Sequence, residues 1–208
     1  MLEDPIRAFR EALERSAPDY QIQLDADALG RLSTYFSLLN KWNHRLHLVA
    51  PCSPQQFATR HVLESLLLIH HLPSGSKVID VGSGAGLPMV PCLIVRPDLS
   101  STLIEASKKK TVFLKEALKE TETRNRANLI CERFENTPTL SADFVSCRAL
   151  DRFRELLPTL ITWSPRPVTL LLFGGQSLQT NLDEQQLGYS AERIPNSVQR
   201  FLFEVKLE

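Results

Sequence analysis

The segment Gly82-Ser83-Gly84-Ala85-Gly86 comes directly after a β-branched run, Lys77-Val78-Ile79-Asp80-Val81, and precedes a helix-length stretch from Leu87 to Val95. A strand that runs into glycines and then into a helix is a device for holding a nucleotide-type ligand. The glycines permit a sharp turn and let a ligand approach the backbone with no Cβ in the way. In open α/β sheets that ligand lies beyond the carboxyl ends of the strands. Glu105 stands 23 residues after Gly82, at the end of the next candidate strand. From there a carboxylate can accept hydrogen bonds from both hydroxyls of a ribose. Asp80, two residues before the first glycine, offers a further negative charge.

Three ligands compete for such a loop, and a plain strand–helix turn with no ligand competes with all of them. A dinucleotide loop reads G-x-G-x-x-G, but position 87 is leucine and the third glycine comes one residue early. A phosphate loop ends in Gly-Lys-Ser/Thr, which is absent. S-adenosylmethionine carries no phosphate and has a cationic sulfonium, so it needs a close backbone and an acid rather than a lysine. Asp80 and Glu105 meet that need, and the expected cofactor is S-adenosylmethionine.

The methyl acceptor is constrained by the residues after the fourth candidate strand, Phe144-Val145-Ser146-Cys147. The chain continues Arg148-Ala149-Leu150, without the Asp/Asn-Pro-Pro-aromatic turn that serves exocyclic amines and without the Pro-Cys nucleophile that serves pyrimidine carbon. The pairs Pro51-Cys52 and Pro91-Cys92 fall elsewhere and read as structural. A site with neither base nor nucleophile suits an acceptor with a free lone pair, and guanine N7 is such an atom.

The elements that must position these residues are legible in the spacing. Ile6, Phe9 and Leu13, then Leu29, Leu32, Phe36, Leu39 and Trp42, recur at three- and four-residue intervals, as helices do. A third helix is expected from near Gln55 through His61 and Leu68, before Pro73-Ser74-Gly75. From there apolar strands (77–81, 102–105, 128–131, 144–147, 168–173) alternate with helices (87–95, 108–120, 150–163), which implies a mostly parallel, doubly wound sheet. Segments 188–194 and 201–207, with Asn196-Ser197 between them, read as a closing antiparallel hairpin. The division expected is a helical extension over 1–72, packed on a cofactor-binding domain over 73–208.

With 208 residues, 43% hydrophobic and 23% charged, the composition is that of an ordinary globular protein, and no apolar run is long enough to span a bilayer. The acidic start Met1-Leu2-Glu3-Asp4-Pro5 lacks the features of a signal or transit peptide, so a cytosolic location is expected. Four cysteines (52, 92, 131, 147) lack metal or redox spacing, and no metal is expected. Net charge is zero, yet two segments are locally basic. Residues 105–126 hold seven lysines and arginines against four glutamates, and 41–61 hold Lys41, Arg45, Arg60 and three histidines with no acid. They read either as solvated helix faces or as a phosphate-binding face that includes Arg60, His61, Lys108 and Lys109.

From about Leu38 to Phe203 the sequence resembles the RsmG (GidB) family, which methylates guanine N7 in a loop of bacterial 16S ribosomal RNA. The resemblance is carried by Val78-Ile79-Asp80-Val81-Gly82-Ser83-Gly84-Ala85-Gly86-Leu87-Pro88, by Pro91 and Ile94-Val95-Arg96-Pro97, and by Leu103-Ile104-Glu105-Ala106-Ser107 with Lys108-Lys109-Lys110. Trp42-Asn43, Arg60-His61 with Ser65-Leu66, and Ser146-Cys147-Arg148-Ala149 add to it. It implies a Rossmann-like class I methyltransferase fold with a seven-stranded, mostly parallel sheet, and small-subunit ribosomal RNA or a ribosomal particle as partner to a monomer. It implies that Gly82 and Leu87 line the cofactor with Gly84 and Gly86, that Glu105 meets its ribose, and that Phe134 and Glu135 flank its adenine. Arg148 would face the methionine end or the guanine as a positioning residue; a salt bridge to Asp151 or Glu155 is the plainer reading. The resemblance makes Arg60, His61, Lys108 and Lys109 candidate RNA contacts, with Arg60 and His61 open equally to active-site contact or to capping and packing. The chain departs from the family at His47-Leu48-Val49 (Asn-Leu-Thr), at Glu64 (Asp) and at Gly174 (lysine). The other readings are a methyltransferase for another RNA or a small molecule, and a non-catalytic cofactor-binding scaffold.

Overall fold

A computed structural model describes residues 4–148 and 153–208. The chain opens with helices because its early apolar residues keep helical spacing between capping residues. Asp4 caps α1 (Pro5–Ser16) by accepting from the Ile6 amide at 3.0 Å. Asp25 caps α2 (Ala26–Leu46) by accepting from the Ala28 amide at 2.7 Å. The predicted stripe on α2 is the packed one: Leu29, Leu32, Phe36 and Leu39 are buried in the core, and Trp42 packs half-buried against it. Phe36 stacks on Phe9 of α1 with ring centroids 4.4 Å apart.

The third helical run is less regular than its spacing predicts. It starts at Pro54, where Ser53 and Gln56 form a reciprocal capping box, and gives α3 (Pro54–Phe57). A π turn (Ala58–Leu63), α4 (Glu64–Leu66) and a 3-10 turn (Leu67–His70) continue it without a break. Arg60 and His61 sit in the π turn, a feature often found at functional sites.

The rest alternates strands with helices, as expected except for α8, which the spacing does not predict: β1 (Lys77–Val81), α5 (Met89–Val95), β2 (Ser100–Ile104), α6 (Lys108–Glu120), β3 (Ala127–Ile130), β4 (Phe144–Arg148), α7 (Phe153–Trp163), β5 (Val168–Gly174), α8 (Gln176–Glu184), β6 (Tyr189–Arg193) and β7 (Phe201–Leu207). α5 begins later than Leu87 because Pro88 takes the capping position. The segment 149–152, where the sequence spacing starts α7, lies outside the described residues. The sheet order is β3-β2-β1-β4-β5-β7-β6, parallel except where β7 runs antiparallel to β5 and β6. Register aligns Val81 with Ile104 on one side and Cys147 on the other, so the carboxyl ends of β1, β2 and β4 share one edge.

Two cores flank the sheet. One joins α1, α2, α3 and α4 to α5 and α6 and includes Val78 and Leu103 of the sheet; the other lies under α7 and α8. Arg96, of the Arg-Pro pair, ties the helical segment to the sheet domain. Its guanidinium donates to the Ile69 and Leu72 carbonyls and pairs with Asp98, which takes the Gly75 amide at 3.0 Å.

Candidate functional site

A cavity of about 670 Å³ opens at the carboxyl edge of β1, β2 and β4. The turn after β1 forms its floor. Gly82 and Ser83 both donate to the Ile104 carbonyl (2.9 and 3.1 Å), which pins the start of the turn to β2. Gly86 closes it with φ +85°, and a Cβ there would sit 2.5 Å from Val90 Cγ2. Only glycine satisfies both constraints. Gly84 is different: a Cβ on it would meet nothing closer than 3.6 Å, so the backbone presents an open face to the cavity.

Glu105 is almost wholly buried, and both carboxylate oxygens are held by backbone amides. Oε2 accepts from Gly84 (2.8 Å) and Oε1 from Ser107 (2.7 Å). Each oxygen keeps a free lone pair for a further donor. The carboxylate therefore reaches the cavity in a fixed orientation, as recognition of two vicinal hydroxyls requires. Phe134 is buried in a 3-10 turn (Phe134–Asn136) and packs edge-on against Trp163 at 5.4 Å, giving the far wall an apolar plane. The exposed Glu135 comes next on the rim.

Gly82, Gly84, Leu87, Glu105, Phe134, Glu135, His61 and Arg148 all line the cavity, whereas Asp80, Gly86, Arg60, Lys108 and Lys109 do not. The structure corrects the expectation for Asp80. It is fully buried beneath the turn, with Oδ1 accepting from Ser146 Oγ at 2.8 Å and Oδ2 unpartnered. Burial pushes its pKa up to about 7 against the hydrogen bonds that lower it. It supports the turn from below. Gly86 is likewise a packing residue, against Val90 and Leu114.

Arg148 does not rest on the surface. Its Nη1 donates to the His61 carbonyl (3.1 Å) and Ser65 Oγ (2.8 Å), its Nη2 meets the Arg60 carbonyl, and Glu64 lies at 3.4 Å. Glu64 is buried and also pairs with Arg200 from the β6–β7 loop. Asp151, one of two partners offered by the sequence, lies outside the described residues. The guanidinium thus fastens the π turn to the end of β4, 5.5 Å above the Phe173 ring. His61 is caught in the same cluster. Burial and the charges of Arg148, Arg60 and Arg200 pull its pKa down to about 4, so its ring is neutral at pH 7.

Further contributors lie outside the candidate site residues read from the sequence. Tyr35, fully buried on α2, donates to the Ala85 carbonyl at 2.7 Å and so braces the turn from the helical segment. Asn43 exchanges two hydrogen bonds with Val49 (2.9 and 3.1 Å) and holds Leu48, Val49 and Ala50 along the cavity wall. His47 begins that wall in the left-handed region, φ +48°, a conformation that asparagine and histidine both tolerate. The departure from the family's asparagine therefore keeps the local backbone. Gly174 faces α8: a Cβ would lie 2.5 Å from Leu178 Cδ2.

The model of the GidB family, rRNA small subunit methyltransferase G, matches residues 28–204. The chain belongs to that family. It is 35% identical over 175 residues to the ribosomal RNA small subunit methyltransferase G of Halorhodospira halophila, covering 84% of this chain and 83% of that one. Against the enzyme of the same name from Neisseria meningitidis serogroup B it is 34% identical over 191 residues, covering 91% and 86%. Among solved structures, the mitomycin 7-O-methyltransferase MmcR superposes with a TM-score of 0.64 at 14% identity, covering 99% of this chain and 74% of that one. A SAM-dependent methyltransferase from Aquifex aeolicus gives 0.58 at 14%, covering 73% and 92%. These likenesses establish the Rossmann-like methyltransferase fold for this GidB-family chain. Among the described residues no His/Cys/Asp/Glu group is arranged to hold a metal, and no helix is long and apolar enough to cross a membrane.

Proposed function

We propose that this chain transfers the methyl group of S-adenosylmethionine to N7 of a guanine in 16S ribosomal RNA. The observation that carries the proposal is the family match across residues 28–204, which spans every wall of the cavity. The residues fit the cofactor. Glu105 offers a fixed carboxylate to the ribose, Phe134 and Leu87 offer apolar surface to the adenine, and Arg148 offers a cation to the methionine carboxylate. When bound, S-adenosylmethionine supplies an electrophilic methyl on a cationic sulfur.

Guanine N7 carries a free lone pair and no proton, so the chain has only to orient the base and exclude water. The neutral His61 and the pinned Arg148 suit that role, because neither has to move a proton. Arg60, on the same turn, is exposed at the acceptor side and is assigned to the RNA. Three large apolar side chains are exposed among the described residues, one each on α1, α6 and the β6–β7 loop, which supports a monomer; a cytosolic location goes with the ribosomal RNA substrate proposed here. The helical extension over 1–72 and the cofactor domain over 73–208 are taken as two parts that share one core. Deleting the gene should remove one specific N7-methylguanine from small-subunit RNA, and a plasmid copy should restore it. An unchanged mark would contradict the assignment.

A further inference from the structure

We propose that the adjoining ends of α2 and α6 form the docking surface for the sugar-phosphate backbone that flanks the methylated base. This rests on the ribosomal RNA reading above and names the face that takes it. Two stretches without a single acidic residue, 28–63 and 106–115, are distant in sequence. The fold brings their ends together. Trp42 of α2 meets Phe113 of α6 edge-on at 6.2 Å, while Arg31, about three turns earlier on α2, feels the carboxylate of Glu122 just beyond α6. The two helices therefore run in opposite directions, and the last turn of α2 lies beside the first turn of α6.

Both ends continue into the cavity wall, α2 through Leu48 to Ala50 and α6 through Lys110. Lys41, Arg45, Lys108 and Lys109 are exposed, and among the described residues none of them pairs with a carboxylate. Val112, 55% exposed one turn after Lys108, adds an apolar spot to the same helix face. Across the mouth the rim carries Glu132 and Glu135 against Arg133 alone. Phosphates are attracted to one side and not the other, so the strand leaves the cavity over α2 and α6. The chain's overall neutrality sharpens the point, because no general positive field draws in RNA. What attraction there is must be local.

The test is a fluorescence-anisotropy titration of an unmodified 16S RNA transcript with the full chain over a salt series. Neutralising the ridge with Arg45→Gln, Lys108→Gln and Lys109→Gln together should reduce the log–log salt slope by about 2, at roughly 0.7 to 0.9 per lost phosphate contact. Affinity should fall at least tenfold at the lowest salt, with S-adenosylmethionine affinity and Tm unchanged. Arg10→Gln with Arg15→Gln on α1, both exposed, is the control and should leave the slope alone. An unaltered slope in the ridge variant, or an equal drop in the α1 control, would overturn the proposal. Binding is read without methyl transfer, so the two assignments fail separately. A chain that docks RNA on the ridge but leaves 16S RNA unmethylated sinks the substrate and keeps the surface.

Discussion

The carboxylate of Glu64 and the guanidinium of Arg148 meet at 3.4 Å, with only 3% and 14% of their side chains exposed. The pair joins the helical segment to the carboxyl edge of the sheet at the acceptor side of the cavity. Arg200 completes it from the terminal hairpin.

Replacing Glu64 with Gln should leave two arginines facing each other without a counter-charge. Breaking a buried pair in this way costs about 3–5 kcal/mol; the low end applies here, since Arg200 is 35% exposed. Urea unfolding should show that loss. Methyl transfer should fall further than cofactor affinity, because the π turn carrying His61 is the part released.

Glu105→Gln should be nearly as damaging as Glu105→Ala. Both carboxylate oxygens accept from backbone amides, and an amide side chain can accept at only one of them. A charged hydrogen bond is worth about 1.5–3 kcal/mol, so S-adenosylmethionine should bind roughly 10- to 100-fold more weakly by calorimetry.

Asp80 should impose a pH dependence on the cofactor-free protein. Its folded pKa is about 7 against an ordinary 3.8, so the protonated form favours the fold. That contribution is complete below the ordinary value and is lost as pH rises through 7. Between those values stability should fall by at most about 1.4 kcal/mol per pH unit on this group's account. Asp80→Asn should flatten that part of the profile in denaturant melts; an equally steep profile would remove Asp80 as its source.

Tyr35→Phe should leave the Ala85 carbonyl without its donor and cost about 1–3 kcal/mol. The turn loses a brace, so cofactor affinity should drop with stability. A loss of stability at unchanged affinity would show that the brace does not reach the turn.

Restoring the family's lysine at Gly174 should not restore a cation at once. Leu178 fills the space a Cβ needs, so Gly174→Lys should destabilise by about 1–3 kcal/mol. Adding Leu178→Ala should cost less in that background than in the wild type, and a double-mutant cycle would measure the coupling.

The succession of strands along the chain, the closing hairpin and the cofactor turn are legible in the sequence because each is written in contiguous residues: apolar runs, glycines and a carboxylate one strand later. α8 is not, since between Gln176 and Glu184 only Leu178 and Leu182 mark an apolar face. The role of Asp80 escapes spacing for a related reason. Its position beside the glycines is visible, but whether its side chain points into the cavity or into the core depends on Ser146, 66 residues away. Glu64 with Arg200 and Tyr35 with Ala85 are contacts between distant segments with no local pattern. The acceptor side is built mainly from such contacts and the cofactor side mainly from contiguous ones, so sequence spacing describes the cofactor side better.

The most direct measurement is single-turnover methyl transfer from labelled S-adenosylmethionine to small-subunit particles lacking their modifications, with the methylated atom mapped. One N7-methylguanine per particle, lost in Glu105→Ala, is the result predicted. Bound cofactor with no transfer, or a methyl group on any other atom, would contradict it.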